Sequence, residues 1–120
     1  MRYMMMIYSG ESEGVAPEDT RAVAAAHRAF MEETGRQGIL VGGEPLQASS
    51  TATMVRVERD KAIITDGPYA ETKEQLAGYY ILECRDLDEA LAWAVKIPTG
   101  CAGAAGCVEV RPLREIPRNG

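Results

Sequence analysis

The chain has 120 residues, 46% of them hydrophobic and 26% charged, with 13 basic against 18 acidic side chains and a net charge of -5. That size fits a single domain spanning 1–120, and the apolar share is that of an ordinary globular protein, which excludes disordered and fibrous classes. The acidic balance argues against nucleic acid or an anionic membrane as partner, and no apolar run reaches the roughly 18 residues of a membrane-spanning helix.

The opening MRYMMMIYSG carries one basic residue and no small-residue cleavage site. It therefore reads as a first strand over residues 2–8 rather than a signal peptide, and the expected location is cytoplasmic. This strand is apolar on both faces, with Met4, Met6 and Tyr8 opposite Tyr3, Met5 and Ile7. After a polar loop over 9–16, Pro17 suits the first helical position and Glu18 and Asp19 suit the first turn, so a helix is predicted to about Arg36. Val23, Ala26, Phe30 and Thr34 share its inner stripe with His27 beside them, and Arg21, Arg28, Glu32 and Arg36 cover the other side. Residues 39–41 begin a second strand that Gly42, Gly43 and Pro45 interrupt. Residues 52–57 and 62–65 flank ERDK as a hairpin. DGPYAETKEQ reads as a turn and a polar segment, with Glu71, Lys73 and Glu74 solvated. Residues 78–84 form another two-faced strand, with Tyr80 and Leu82 opposite Tyr79 and Ile81. Asp86 as N-cap and Glu89 three residues later start a helix to about Ile97 whose inner stripe is Leu87, Ala90, Leu91 and Ala94. Val108 and Val110 alternate with Glu109 and Arg111 in a last strand, and residues 116–120 are expected to fray.

The order β-α-β-hairpin-β-α-β predicts an α+β ferredoxin-like sandwich with both helices on one sheet face. The two-faced strands then leave apolar surface on the other face. A second copy laid sheet against sheet is the simplest cover, so a homodimer is expected.

Among residues able to carry chemistry, Cys84, Cys101 and Cys107 form an odd set without a secretory pattern, which points to reduced thiols. The gap between Cys101 and Cys107 matches no common zinc or iron–sulfur spacing, and a regulatory disulfide in that loop is the alternative. The six methionines read as adaptable filler rather than metal ligands. No Ser-His-Asp set, phosphate loop or dinucleotide fingerprint is present, so hydrolase and oxidoreductase readings have no basis. With one histidine a metal would need carboxylates such as Asp66 or Glu44 to complete its shell, so neither a metal nor another cofactor is expected. His27, the single histidine, lies at the edge of a buried stripe, where an imidazole suits proton transfer near neutral pH. The plainer reading is a ring packed in the core and bonded to a backbone carbonyl. Asp66 opens a DGP turn that local turn chemistry explains; the functional alternative is that the turn aims Asp66 and the Tyr69 hydroxyl into the cleft of His27. Thr72 and Lys73 are candidates to hold an anionic group of a ligand. Tyr8, Tyr79 and Tyr80 read as core or dimer-face residues.

The stretch DGPYAETKEQLAGYYILECRDLDEALAWAVKIP, residues 66–98, resembles the signature of the DGPF branch of the YCII-related proteins. RYMMMIY, AAHRAF, GILVGGEPL and VEVRPL resemble that family in order and spacing, and Tyr69 stands where the name-giving motif has phenylalanine. The resemblance implies a dimeric α/β barrel of ferredoxin-like subunits, a bacterial origin, and genes near extracytoplasmic-function sigma factors. It also implies a histidine–aspartate pair working in a cleft, and a related domain is a dehydrochlorinase acting on a chlorinated hydroxyquinol. His27 matches the histidine. Near the end of the first helix, where the aspartate would lie, this chain has Glu33 and Arg36, which leaves Asp66 as the substitute. The expected function is a cofactor-independent small-molecule lyase or isomerase that moves a proton through His27, with Asp66 orienting it and Tyr69, Thr72 and Lys73 on the ligand. The alternative is a non-catalytic ligand-binding or accessory module linked to sigma-factor regulation.

Overall fold

The computed structural model describes residues 1–11, 17–99 and 106–117. Its elements in chain order are β1 (Arg2–Gly10), α1 (Pro17–Arg36), β2 (Leu40–Pro45), a 3-10 turn (Ser49–Thr51), β3 (Thr53–Glu58), β4 (Lys61–Asp66), β5 (Glu74–Glu83), α2 (Leu87–Ala94) and β6 (Gly106–Pro112). Four strands form one sheet in the order β2-β5-β1-β6, and β3 and β4 form a separate two-stranded sheet. All pairings are antiparallel. This arrangement of an antiparallel sheet and two helices is compatible with a ferredoxin-like sandwich carrying an added hairpin.

Register assigns the faces. Tyr3, Met5 and Ile7 of β1 lie opposite Leu82, Tyr80 and Gly78 of β5 and opposite Pro112, Val110 and Val108 of β6. Because side chains alternate along a strand, these residues share one face, and the core forms where that face meets Phe30 of α1 and Ala90, Trp93 and Ala94 of α2. Burying such side chains is the main source of stability, at about 1.5–3 kcal/mol for each large one. Met4, Met6, Tyr79 and Ile81 alternate onto the opposite face and stay partly exposed. The two-faced pattern of β1 and β5 thus corresponds to a sheet with one covered face and one open face.

Several boundaries differ from the sequence reading for local reasons. Strand β2 runs through Gly42, Gly43 and Pro45 rather than stopping at residue 41. It is an edge strand, where a proline costs no ladder bond, and a register shift between Leu40 and Gly42 absorbs Val41. Strand β5 begins at Glu74, so Glu74 and Gln75 pair with Gly10 and Ser9 instead of belonging to a solvated segment. Helix α2 ends at Ala94, short of Ile97. Asp86 caps it by accepting from the Glu89 N–H at 2.9 Å, as the sequence suggests. Its buried residues are Ala90, Trp93 and Ala94, with Ile97 following, while Leu87 and Leu91 face outward. On α1, Phe30 and Thr34 are buried and Ala26 is exposed. Residues 113–115 are tied down by the Leu113 N–H on the Arg2 carbonyl and by an Arg2–Glu115 ion pair.

The hairpin turn is unusual in composition. Arg59 and Asp60 sit at φ 49° and 66°, the left-handed values of a two-residue turn that favours Asn-Gly. A non-glycine residue in this region costs on the order of 1 kcal/mol. Replacing Arg59 and Asp60 by Asn and Gly is expected to stabilise the hairpin by about 1 kcal/mol. The measurement is amide hydrogen exchange of Val55–Ile64, which should slow roughly fivefold.

Candidate active site

The site begins with the spacing of α1. His27, Phe30 and Thr34 fall at i, i+3 and i+7, on the side of the helix that faces the sheet. Thr34 is fully buried and its hydroxyl donates to the Phe30 carbonyl at 2.9 Å, which satisfies it within the helix. The Phe30 ring lies 4.9 Å from that of Tyr80 at a 45° tilt and meets Trp93 edge-on at 6.2 Å. Tyr80 therefore rises from the sheet into an aromatic cluster. Its ring is buried, and its hydroxyl passes beyond Phe30 to lie 2.7 Å from His27 Nδ1.

The strand beside Tyr80 makes room for it. A Cβ on Gly43 of β2 would stand 2.6 Å from Tyr80 Cδ1 and 2.7 Å from the Tyr79 carbonyl oxygen. Both lie well inside contact distance, so no side chain fits there without moving the ring or the strand. Gly78 serves the same close approach, since its Cβ would meet the Glu44 carbonyl at 2.9 Å. The GGEP sequence is thus the surface against which Tyr80 packs.

His27 and Tyr80 line a cleft of about 320 Å³ between α1 and the β2–β5 edge, walled by Ile7, Ala24, Met31 and Pro45 with Arg28 and Glu44 as its charged members. Burial lowers the His27 pKa below the ordinary histidine value and raises that of Tyr80. Near neutral pH both groups are uncharged. With a neutral ring the bond has two proton arrangements: the hydroxyl donates to Nδ1 with the ring proton on Nε2, or Nδ1–H donates to the phenol oxygen and Nε2 holds a free lone pair. The second arrangement is that of a general base.

The other sequence candidates lie elsewhere. Asp66 is exposed at the end of β4, followed by Gly67 at φ 108°, whose N–H donates to the Ala52 carbonyl at 2.8 Å. Tyr69 is 81% exposed, with the Arg56 guanidinium 5.9 Å from its ring centre. Thr72 donates to the Glu74 carbonyl, and the Gln75 amide donates to the carbonyls of Ala70 and Thr72, at 2.9 and 3.1 Å, pinning this loop. Lys73 is exposed on the same loop. None of Asp66, Tyr69, Thr72 and Lys73 lines the His27 cleft. Tyr69 and Thr72 instead wall a larger cleft of about 590 Å³ floored by Tyr8 and Leu76. Tyr8 alternates with Ile7 and so places that cleft on the open face of the sheet. That larger cleft holds neither His27 nor Tyr80. The sequence marks Tyr80 as a core or dimer-face residue and does not single it out as the partner of His27, although it sets Tyr80 on the same strand face as Leu82.

The Cys101 half of the loop disulfide reading lies outside the described residues. Cys107 is exposed and sits 3.8 Å from a Glu74 carboxylate oxygen. Desolvation, with the charge of Glu74 second, raises its thiol pKa, which disfavours the reactive thiolate. Cys84 is buried, as a core cysteine would be. Among the described residues, no three metal-ligating side chains gather into a cluster, and no helix is long and apolar enough to cross a membrane.

The chain thus places a small antiparallel sheet under two helices, with a histidine–tyrosine pair in a cleft between α1 and the sheet. The YCII-related domain matches residues 1–117, and this chain belongs to that family. It is 37% identical over 119 residues to an uncharacterized protein of Rhizobium meliloti (strain 1021), covering 94% of this chain and 92% of that one.

The site yields two expectations. Gly43→Ala should push the Tyr80 ring aside and break its bond to His27, seen as a shift of the His27 ring resonances toward those of Tyr80→Phe. The second concerns pH. Because the folded-state pKa of His27 lies below its unfolded value, the unfolded chain binds the proton more readily. The stability this group contributes is full above the ordinary histidine range and is lost as pH falls through that range. Urea midpoints should drop between about pH 7 and pH 5, and by less in His27→Gln.

Proposed function

We propose that the protein is an acid–base catalyst that moves a proton on a small molecule held in the His27–Tyr80 cleft. The observation that carries this reading is the 2.7 Å bond between His27 Nδ1 and the Tyr80 hydroxyl inside that cleft. With Nδ1–H donating to the phenol oxygen, Nε2 is the free base. It takes a proton from a carbon next to an electron-withdrawing group, and the Tyr80 oxygen steadies the imidazolium that results. The proton then returns to a neighbouring atom in an isomerisation, or leaves with the departing group in an elimination. Tyr80 thereby fills the orienting role that sequence reading gave to Asp66. Such a step requires no redox group and only one base, which supports the cofactor-independent reading. A cleft of about 320 Å³ suits a ligand at the small end of the usual range.

The DGPYAET segment supports placing the chain in the DGPF branch, and the open apolar sheet face supports pairing of two copies into a barrel. The second functional reading, a ligand-binding module, is favoured by the larger apolar cleft between Tyr8 and Tyr69.

The test is deuterium wash-in from D₂O, followed by proton NMR, across a panel of small carbonyl compounds. The wild type should exchange at least one of them at the carbon next to the carbonyl. His27→Gln should slow that exchange at least about 100-fold and Tyr80→Phe by a smaller factor. The rate should fall on the acid side, below the ordinary histidine range, because His27 must be neutral to accept a proton. Full exchange in His27→Gln overturns the reading.

A further inference from the structure

The helix wall of the His27 cleft is a second stripe of α1. Ala24, His27, Arg28 and Met31 line it at i, i+3, i+4 and i+7, a spacing that puts four side chains on one flank of a helix. His27 stands where this flank meets the buried stripe of Phe30 and Thr34, so it bonds Tyr80 of the sheet and borders the cleft at once. Periodicity alone sets Arg28 on the solvated side of α1. The structure instead puts it at the mouth of the cleft, exposed and next in sequence to the imidazole.

The Arg28 guanidinium is uncommitted. The ion pairs among the described residues take their cations from Met1, Arg2, Arg85, Lys96 and Arg111. Glu44, the other charged residue at the cleft, pairs with Tyr79 in the β2–β5 ladder, while the neighbouring Gly43 pairs with Tyr80. Strand alternation then carries the Glu44 side chain toward the open face with Tyr79, away from the helix. The helix side of the cleft thus presents one positive charge, one imidazole and one phenol against apolar walls. A chain of net charge -5 does not gather anions at long range, so an anion stays here only through a local cation.

One ligand chemistry fits this set. A guanidinium fork matches a carboxylate with two parallel bonds. A phosphoryl group carries close to two negative charges at neutral pH and calls for further donors. No lysine, second arginine or helix N-terminus lines the cleft. Successive helical positions lie about 100° apart and about 1.5 Å along the axis, so a carboxylate on Arg28 is only a few bonds from the His27 ring. A carboxylate acidifies its own neighbouring C–H weakly, because the charge formed there is repelled. A ketone carbonyl in the same short molecule supplies the acidity.

We propose that Arg28 is the anion-binding residue of this cleft and that its ligand is a small oxo acid, held by its carboxylate on Arg28 with the C–H beside its ketone facing His27. The C–H bond breaks, its proton goes to Nε2 and its electron pair passes onto the ketone oxygen. Return of a proton to carbon restores the ketone. The reaction rests on the acid–base reading above, whereas the binding does not.

The experiment separates the two. The probes are 2-oxobutanoate and butanone, which share an exchangeable methylene and differ in charge. Binding is followed by the His27 ring resonances during titration, and turnover by deuterium wash-in. Wild type should bind 2-oxobutanoate at millimolar concentration and at least about tenfold more tightly than butanone. Arg28→Gln should abolish that preference and raise the half-saturating concentration for wash-in about tenfold, with little change in the saturating rate. Arg28→Lys should restore part of the affinity. Arg21→Gln makes the same change in net charge on α1 away from the cleft and should bind as wild type does. Glutamine is a good helix former and Arg28 is exposed, so the fold is kept, which an unchanged His27–Tyr80 NMR signature checks. Equal affinity for the two probes, or equal affinity in wild type and Arg28→Gln, overturns the assignment of Arg28. Arginine-dependent binding without any wash-in supports that assignment and overturns the acid–base reading instead.

Discussion

The close approach of the β2 backbone to the ring of Tyr80 sets the position of nearly everything around the cleft. With glycine at position 43 the edge strand lies directly against the aromatic ring, and Phe30 closes on the ring from the helix side. The ring sits between them, and its hydroxyl emerges where His27 reaches the sheet. The bond to Nδ1 then fixes the imidazole. A cleft forms because the hydroxyl and the imidazole span the gap between helix and strand without filling it. The same side chain thus belongs to the core through its ring and to the site through its oxygen, as amphipathic aromatic residues often do.

Energetically the sheet is asymmetric. One face is sealed by α1 and α2 and carries the residues that exclude water completely, Met5 and Leu82 among them. The other is apolar in its middle and bounded by Glu44, Glu109 and Arg111, and no layer of the described residues lies over it. Two helices of 20 and 8 residues cannot cover both faces of four strands. That shortage leaves Met4, Met6, Tyr79 and Ile81 partly exposed.

The hydrophobic alternation of β1 and β5, the capped start of α2 and the hairpin were legible in the sequence because each depends on neighbours two to four residues apart. The misreadings share a different cause. Leu87 and Leu91 looked like the inner stripe of α2, yet the helix sits with Ala90, Trp93 and Ala94 inward, because the small alanines let the backbone approach and the indole fills the space against Phe30. Gly42 and Gly43 looked like a break in a strand, and they are instead what a large ring on the neighbouring strand requires. Gln75 looked like part of a solvated loop, and its amide ties two carbonyls of that loop to the start of β5.

The candidate site divides along the same line. Local pattern was enough to mark His27 as the residue able to move a proton, since helical periodicity puts it at the margin of a buried stripe and no other histidine competes. Its partner was not readable that way. Asp66 was attractive by motif, but the turn it opens belongs to the exposed hairpin, whereas Tyr80 lies 53 residues from His27 in sequence and 2.7 Å away in space. Side-chain type and spacing follow from short-range geometry, so the order of residues determines which faces are apolar and which group can titrate. Which groups meet depends on strand register and on how closely two backbones approach, and those are set by packing across the whole sheet.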